Sequence, residues 1–559
     1  MKEVQTQLQK QGFSGDFDSS PETLEKFSHD ASMFEIRPKL AIAPKNTRDV
    51  EIAVKYVADN KKKDKSLSLT ARSAGTDMSG GAINDSIIVD FKKYFTEVKS
   101  IGKTRARTQP GVYFRDFDAE AKEKGVLMPT YPASRDLCTV GGMVANNSGG
   151  EKSIEFGNTN NFVSEVEMVF ADGVARIVKP LDKKGLDKKM AQDDFEGKVY
   201  REIYEMIEAN YDIIKAAEPK VSKNATGYSL WRVWDRETGV FDLTQAIVGA
   251  QGTLGLVTDI EFKVNHARGQ EGLLVMFLKD IDHLGDLVDE VVKYKPSRFE
   301  SFDDNTLWLS IKFMPAFLKL LGPVKFIKLL FSLIPDLFLL MNGLPRMILM
   351  VSIKGDNKEE ISDKIKKLRA ELTKKKDFYR ITGFEELPTE AQGEKFWTMR
   401  RYSFQILRSK VKDKHTAPFI DDLIVNPEHL PEFLPKIRKI IKKYKLFATI
   451  AGHVGDGNFH IIPLMNIELE SERKKLMPAM KEVNELILKY GGSLSGEHND
   501  GLVRGPWLRQ MYGDKIVDLF RETKHIFDPQ GIFNPRKKAN ADWDYSYSHI
   551  RKNFDEPKK

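Results

Sequence analysis

Cysteine is almost absent: Cys138 is the one thiol in 559 residues. A single thiol excludes a disulfide framework, a Cys-ligated iron–sulfur cluster and a Cys-rich zinc site within this chain. It suits a reducing compartment. With no assignable partner, Cys138 reads as a small buried hydrophobe rather than a nucleophile. Charge of one sign is scarce as well. The net charge is +7, and the runs "KKKDK" at 61–65 and "KKK" at 374–376 sit among acids. They read as solvated helix faces, so no nucleic-acid partner is expected. The N-terminus lacks an apolar h-region, which places the chain in the cytoplasm without a secretory signal. No window matches G-x-x-x-x-G-K-[ST] or G-x-G-x-x-G, which removes the P-loop and Rossmann readings.

Uninterrupted apolar runs are missing too. Residues 313–351 come nearest, but four lysine or aspartate residues and four prolines break them into pieces too short for a span of about 20 apolar residues. From Pro323 on, Lys325, Lys328, Ser332 and Asp336 share one helical face, with Phe326, Ile327, Leu330, Phe331, Leu333 and Ile334 around the rest. That pattern suits a helix lying on the inner face of a membrane. It also suits a helical hairpin packed on the protein's own core or over an entrance.

What is present is glycine and a histidine pair. "ARSAGTDMSGGAIND", "TVGGMVANNSGG" and "GAQGTLG" are three glycine-rich loops flanked by alternating strands. Successive backbone N–H groups with few side chains in the way form nests for anionic oxygens, so a dinucleotide pyrophosphate could be held without lysine. Near the C-terminus, "AGHVGDGNFHIIP" sets His453 and His460 on either side of an Asp-Gly turn signal. A two-residue loop at Asp456 and Gly457 would oppose the two histidines directly. Their Cβ atoms would then lie about 4.5–5.5 Å apart, a chelating distance. Two imidazoles need a third ligand, and "SGEHNDGLVR" supplies Glu497 beside His498.

"RSAGTDMSGGAINDSIIVDF", "PGVYFRDFDAEAKEKGVLMPTYPASRDLCTVGGMVANNSGG", "VGAQGTLGLVTDIEFKV" and "FDPQGIFNP" occur in order between about residues 25 and 538. Together they resemble the FAD-linked oxidases of the vanillyl-alcohol-oxidase type, in the D-lactate and glycolate dehydrogenase branch. The resemblance implies an α+β protein: a two-subdomain, PCMH-type FAD-binding domain at 36–265 follows an N-terminal extension (1–35). A cap domain with an antiparallel sheet spans 266–494 and carries the 313–351 insertion. Residues 495–540 complete the site, and 541–559 form a tail. FAD contacts are expected from Arg72, Ser73, Ala74, Gly75, Thr76, Asp77, Ser79 and Gly80 in the first loop. Pro132, Thr139, Gly142, Asn146, Ser148 and Gly149 follow in the second, with Val257 and Asn534 near the isoalloxazine. Covalently flavinylated relatives carry histidine where this chain has Thr76 or Asp77, so non-covalent FAD is expected. Two departures stand out: Gln251 replaces Glu in "GSEGTLG", and Arg536 replaces Gly in "NPGK", where it is expected to alter the flavin edge.

The same resemblance assigns His453, His460 and Glu497 to a divalent metal such as zinc or manganese, and His498 to the general base. A base with an ordinary pKa near 6.5 would accept a proton around neutrality. Arg400 in "KFWTMRRYSF" is placed on the substrate carboxylate, with Arg401 as the off-by-one rival. Ile461, Ile462 and Ile420 stand where diacid-using relatives carry polar residues, which favours a small 2-hydroxy monoacid, D-lactate or glycolate. The expected electron acceptor is a quinone or a separate electron-transfer protein. The alternatives are a non-redox flavoenzyme like alkylglycerone-phosphate synthase and a flavin-binding subunit without catalysis.

Overall fold

The computed structural model describes residues 1–266, 269–312, 344–410 and 414–554, together with Gly322, Pro323 and Phe326; the side chains of 309–311 and 401–410 fall outside that description. Apart from Pro323 and Phe326, the helix expected from Pro323 onward lies outside the described residues. Among those described, no helix is long and apolar enough to cross a membrane.

Among the described residues, three larger sheets carry the chain, beside two two-stranded pairs. In the first, Ile87–Asp90 lies between Leu40–Ala43 and Leu69–Arg72 and runs parallel to both. These short runs are almost wholly apolar because a parallel sheet is covered on both faces. The crossover helix Thr47–Asn60 starts at Asn46, whose side chain accepts from the Asp49 N–H at 3.0 Å. It buries Val50, Ala53, Val54 and Val57 on the sheet. The first glycine loop leaves the carboxyl end of Leu69–Arg72, the edge at which open α/β sheets bind ligands. Residues 16–18, assigned to an N-terminal extension from sequence, instead pair antiparallel with Leu40–Ala43 and form this sheet's edge strand.

The second sheet has five antiparallel strands ordered Val98–Ile101, Arg105–Thr108, Leu256–Lys263, Val163–Val169 and Ala175–Val178. The third glycine loop feeds its central strand, Leu256–Lys263. The third sheet is antiparallel throughout, ordered Ile381–Leu387, Gln270–Leu278, Met347–Gly355, Arg298–Asp303, Phe447–His453, Asn458–Met465 and His415–Thr416. Leu423–Ile424 also pairs with Asn458–Met465. Helix Lys358–Lys374 buries Ile361, Ile365, Leu368 and Leu372 in the core behind it. The C-terminal stretch returns to the N-terminus: Ile550 is buried and bridges Phe34.

The histidine hairpin differs from expectation. His453 pairs with Asn458, and His460 pairs with Ala451. Residues Val454–Asp456 form a 3-10 turn closed by Gly457 at φ 70°, so the loop has four residues instead of two. A Cβ at Gly457 would meet the Val425 carbonyl oxygen at 1.8 Å, which confines the position to glycine. The register moves by two residues, an even number, so both imidazoles remain on one face of the sheet. They become diagonal neighbours, with ring centroids 5.2 Å apart.

Candidate active site

The three glycine-rich loops and the histidine cluster open into one cavity of about 1070 Å³. That is the upper end of the range for ligand pockets, about 300–1,000 Å³. The first loop lines it from Arg72 to Asp77, the second through Thr139, Gly142, Asn146 and Ser148, and the third through Gln251, Gly252 and Val257; Pro132 adds to the wall. Gly75 has φ 71°, and a Cβ there would meet the Arg72 guanidinium at 2.4 Å, so the loop keeps bare backbone against the cavity. A long cleft lined by exposed backbone suits FAD.

Several expected contacts sit behind this wall instead of on it. Ser79, Gly80, Gly149 and Asn534 do not line the cavity. Asn534 donates to the carbonyls of Gly81 (2.8 Å) and Gln251 (2.7 Å), tying the first and third loops together. Asp77 accepts from Gly81 N (2.6 Å) and Asn146 Nδ2 (2.7 Å), so its carboxylate braces two loops. Arg72 donates to the carbonyls of His29 (2.6 Å) and Ala82 (3.3 Å). Gln251 donates to Ser79 Oγ (2.9 Å) and accepts from Gly501 N (2.9 Å), a pairing that needs both ends of an amide. Arg536 does not reach the cavity: it pairs with Asp85 at 2.7 Å and stacks over Tyr545. Arg536 was expected to alter the flavin edge, and its side chain is instead engaged with Asp85 and Tyr545. Cys138 is buried, and burial pushes its thiol up to about 12, consistent with an inert hydrophobe.

At the other end of the cavity, three imidazoles converge on one carboxylate oxygen. Glu497 Oε1 lies 3.3 Å from His453 Nε2, 3.2 Å from His460 Nε2 and 3.7 Å from His498 Nε2. His453, His460 and Glu497 each offer a ligand atom, all within 4.8 Å of one another. The remaining nitrogens face acids. His453 Nδ1 lies 2.6 Å from Glu300, and His460 Nδ1 and His498 Nδ1 lie 3.1 and 2.9 Å from Asp421. Nδ1 of His453 and of His460 can donate to its acid, which leaves Nε2 of each as the ligating atom once it gives up any proton shared with Glu497. That donor set fits a divalent ion. A second triad, Asp421, His460 and His498, also has ligand spacing.

The turn bearing Glu497 and His498 is built by Asp422, which accepts from their backbone N–H groups at 3.0 and 2.8 Å. Lys223, fully buried, donates to the far oxygen of Glu497 at 3.0 Å and to Ser153 Oγ at 3.0 Å. Burial opposes charge on Glu497, His460 and His498, and the neighbours outweigh it. Lys223 and His453 hold Glu497 well below the carboxylate range. Asp421 raises His460 to about 10. His498 is raised by Asp422 and Asp421, so without a bound cation it keeps its proton above its ordinary range, in contrast to the expectation from its free pKa.

Arg400 lines the cavity and ion-pairs with Glu300; the side chain of Arg401 lies outside the described residues. Of the three isoleucines, Ile462 alone reaches the cavity, beside Thr449 and Ala451. Ile461 and Ile420 are buried in the core behind the sheet, because neighbours along a strand face opposite ways. Glu300, Asp421, Asp422 and Lys223 were not anticipated from sequence. The signal available for the acids was the pair "DD" at 421–422, with "ESFDD" at 300–304, both inside apolar strand patterns where a carboxylate needs a reason.

Residues 270–538 match the family described as FAD linked oxidases, C-terminal domain, and residues 38–178 match an FAD binding domain. The chain belongs to the PCMH-type FAD-linked oxidases. It is 26% identical over 534 residues to a D-2-hydroxyglutarate dehydrogenase of Pseudomonas putida, covering 95% of this chain and 51% of that protein. The chain thus spans about half the length of that relative. It is 24% identical to the glycolate oxidase subunit GlcD of Bacillus subtilis, covering 97% of each. Among solved structures, an alkyldihydroxyacetonephosphate synthase superposes with a TM-score of 0.63 and 13% identity, over 96% of this chain and 85% of that one. At that identity the likeness concerns the fold alone. Within the PCMH-type family the reaction is FAD-dependent oxidoreduction.

Proposed function

We propose that this FAD-linked oxidase oxidises a small D-2-hydroxy acid, D-lactate or glycolate, to the 2-oxo acid. The observation that carries the reading is the convergence of His453, His460 and His498 on Glu497, with His460, His498 and Glu497 lining the same cavity as the glycine loops and His453 just behind them. FAD, held non-covalently, supplies the acceptor for the Cα hydride, and a divalent ion supplies Lewis acidity toward the substrate oxygens. His453, His460 and Glu497 would hold the ion. Arg400 anchors the substrate carboxylate with its forked donors. His498, oriented by Asp421, takes the hydroxyl proton at Nε2. Ile462 and Ala451 leave a second carboxylate unpaired, which works against diacids. Electrons pass onward to a quinone or a separate protein, and the apolar sequence at 313–351 would bring the chain to a membrane surface. Turnover with an artificial electron acceptor over a panel of 2-hydroxy acids tests this reading; activity on D-lactate or glycolate is expected, and silence across the panel refutes it.

A second reading is a non-redox flavoenzyme of the alkylglycerone-phosphate synthase kind, whose fold superposes over almost the whole chain. A flavin-binding subunit without catalysis is its limiting case. Both forbid reduction of the flavin by a hydroxy acid.

A further inference from the structure

We propose that Glu300 is the positioning residue that couples the metal site to the substrate anchor. The inference rests on the reading of His453 as a metal ligand and Arg400 as the carboxylate anchor. The ladder pairs Ser301 with Gly452, and its next step sets Glu300 across from His453. Glu300 is wholly buried. Its Oε1 lies 2.6 Å from His453 Nδ1, and its Oε2 is ion-paired with Arg400. One carboxylate thus serves two partners, a hydrogen bond at Oε1 and an ion pair at Oε2. At the first it favours the histidine tautomer that leaves Nε2 available to a bound ion. At the second it holds the guanidinium, which borders the cavity beside Thr449 and Ala451. Two groups from different elements, a strand end and the helix Glu390–Lys410, are thereby registered on one another to the width of a carboxyl group.

Glutamine separates the two roles, because an amide accepts at one end and donates at the other. If the amide oxygen faces His453, the amide N–H groups confront Arg400 and displace it. If the oxygen faces Arg400, an N–H confronts His453 Nδ1 and drives the ring proton to Nε2, closing the ligand atom. Glu300→Gln cannot serve both partners.

The test uses FAD-loaded protein, with divalent-metal affinity measured by chelator competition and the KM for D-lactate measured by flavin reduction. Glu300→Gln is expected to keep the flavin absorbance and to worsen one quantity, metal affinity by about 10–100-fold if the histidine is lost or KM if the arginine is lost. Unchanged values of both overturn the inference. Should Glu300→Gln fail to fold, Arg400→Ala gives the same answer. Arg400 is not itself among the proposed ligands, yet its removal releases one end of Glu300 and is expected to weaken metal binding, and unaltered affinity overturns the coupling. A wild-type protein that binds no divalent ion refutes the metal reading itself, and the inference with it. Wild-type binding with an indifferent Glu300→Gln refutes the inference alone.

Discussion

Lys223 Nζ and Glu497 Oε2 lie 3.0 Å apart, and neither side chain is more than 2% exposed. A buried pair of this kind is costly to break from one side, about 3–5 kcal/mol, because the surviving charge is left without a partner. Lys223→Met should therefore lower the melting temperature of the protein. It should also weaken metal retention, because Glu497 loses the contact that turns its other oxygen toward the histidines. Calorimetry and metal analysis of the same sample check both. Full metal affinity in Lys223→Met would mean that Asp422 and the turn position Glu497 unaided.

The cluster separates by function under mutation. His453→Ala and Glu497→Ala should lose the metal and turnover while the flavin spectrum stays, because the glycine loops do not depend on them. His498→Ala should keep metal and flavin but slow flavin reduction by roughly 10²–10⁴-fold, the range for loss of a general base. Rapid-mixing kinetics on the three variants distinguish ligand from base. Reduction at the wild-type rate in His498→Ala would remove it from the mechanism.

Ile462 is the isoleucine that meets the substrate end of the cavity. Ile462→Asn supplies a polar partner for a second carboxylate, so the ratio of kcat/KM for D-2-hydroxyglutarate over D-lactate should rise. Ile461→Asn, which faces the core, should cost stability and leave that ratio alone. Equal ratios in wild type and Ile462→Asn would show that selectivity lies elsewhere.

Asp303 is buried and accepts from Thr306 N (3.0 Å) and Oγ1 (2.7 Å); burial pushes its carboxyl up to about 7, from an ordinary 3.8. Between those values the folded state binds the proton that the unfolded state has released, so stability falls as pH rises through the interval. Asp303→Asn cannot ionise. Its melting temperature relative to wild type should increase from about pH 4 to pH 7. A constant difference across that interval would show that Asp303 does not titrate there.

Much of this architecture was legible from local pattern. Apolar runs such as "SIIVD" and "MILMVSIKG" form strands, and Asn46, a residue type suited to capping, opens its helix. The Asp-Gly signal located the hairpin but not its loop. A four-residue turn with Gly457 in the left-handed region satisfies the same residues, and the close approach of the Val425 carbonyl decides between them. That contact comes from a distant segment and leaves no local trace. Glu300, Asp421 and Lys223 were missed for the same reason. Glu300 is 153 residues from His453, Asp421 is 39 from His460 and Lys223 is 274 from Glu497, and no spacing rule connects them. The error over Ile461 was avoidable: it follows His460 directly, so strand alternation already turned it away from the cavity.

Anaerobic mixing of the purified, metal-loaded yellow protein with D-lactate or glycolate tests the central claim most directly. Transfer of a hydride from the substrate should bleach the flavin absorbance near its long-wavelength maximum, with pyruvate or glyoxylate formed in equal amount. An unbleached flavin with these acids and with D-2-hydroxyglutarate would contradict the dehydrogenase reading and leave the non-redox one standing.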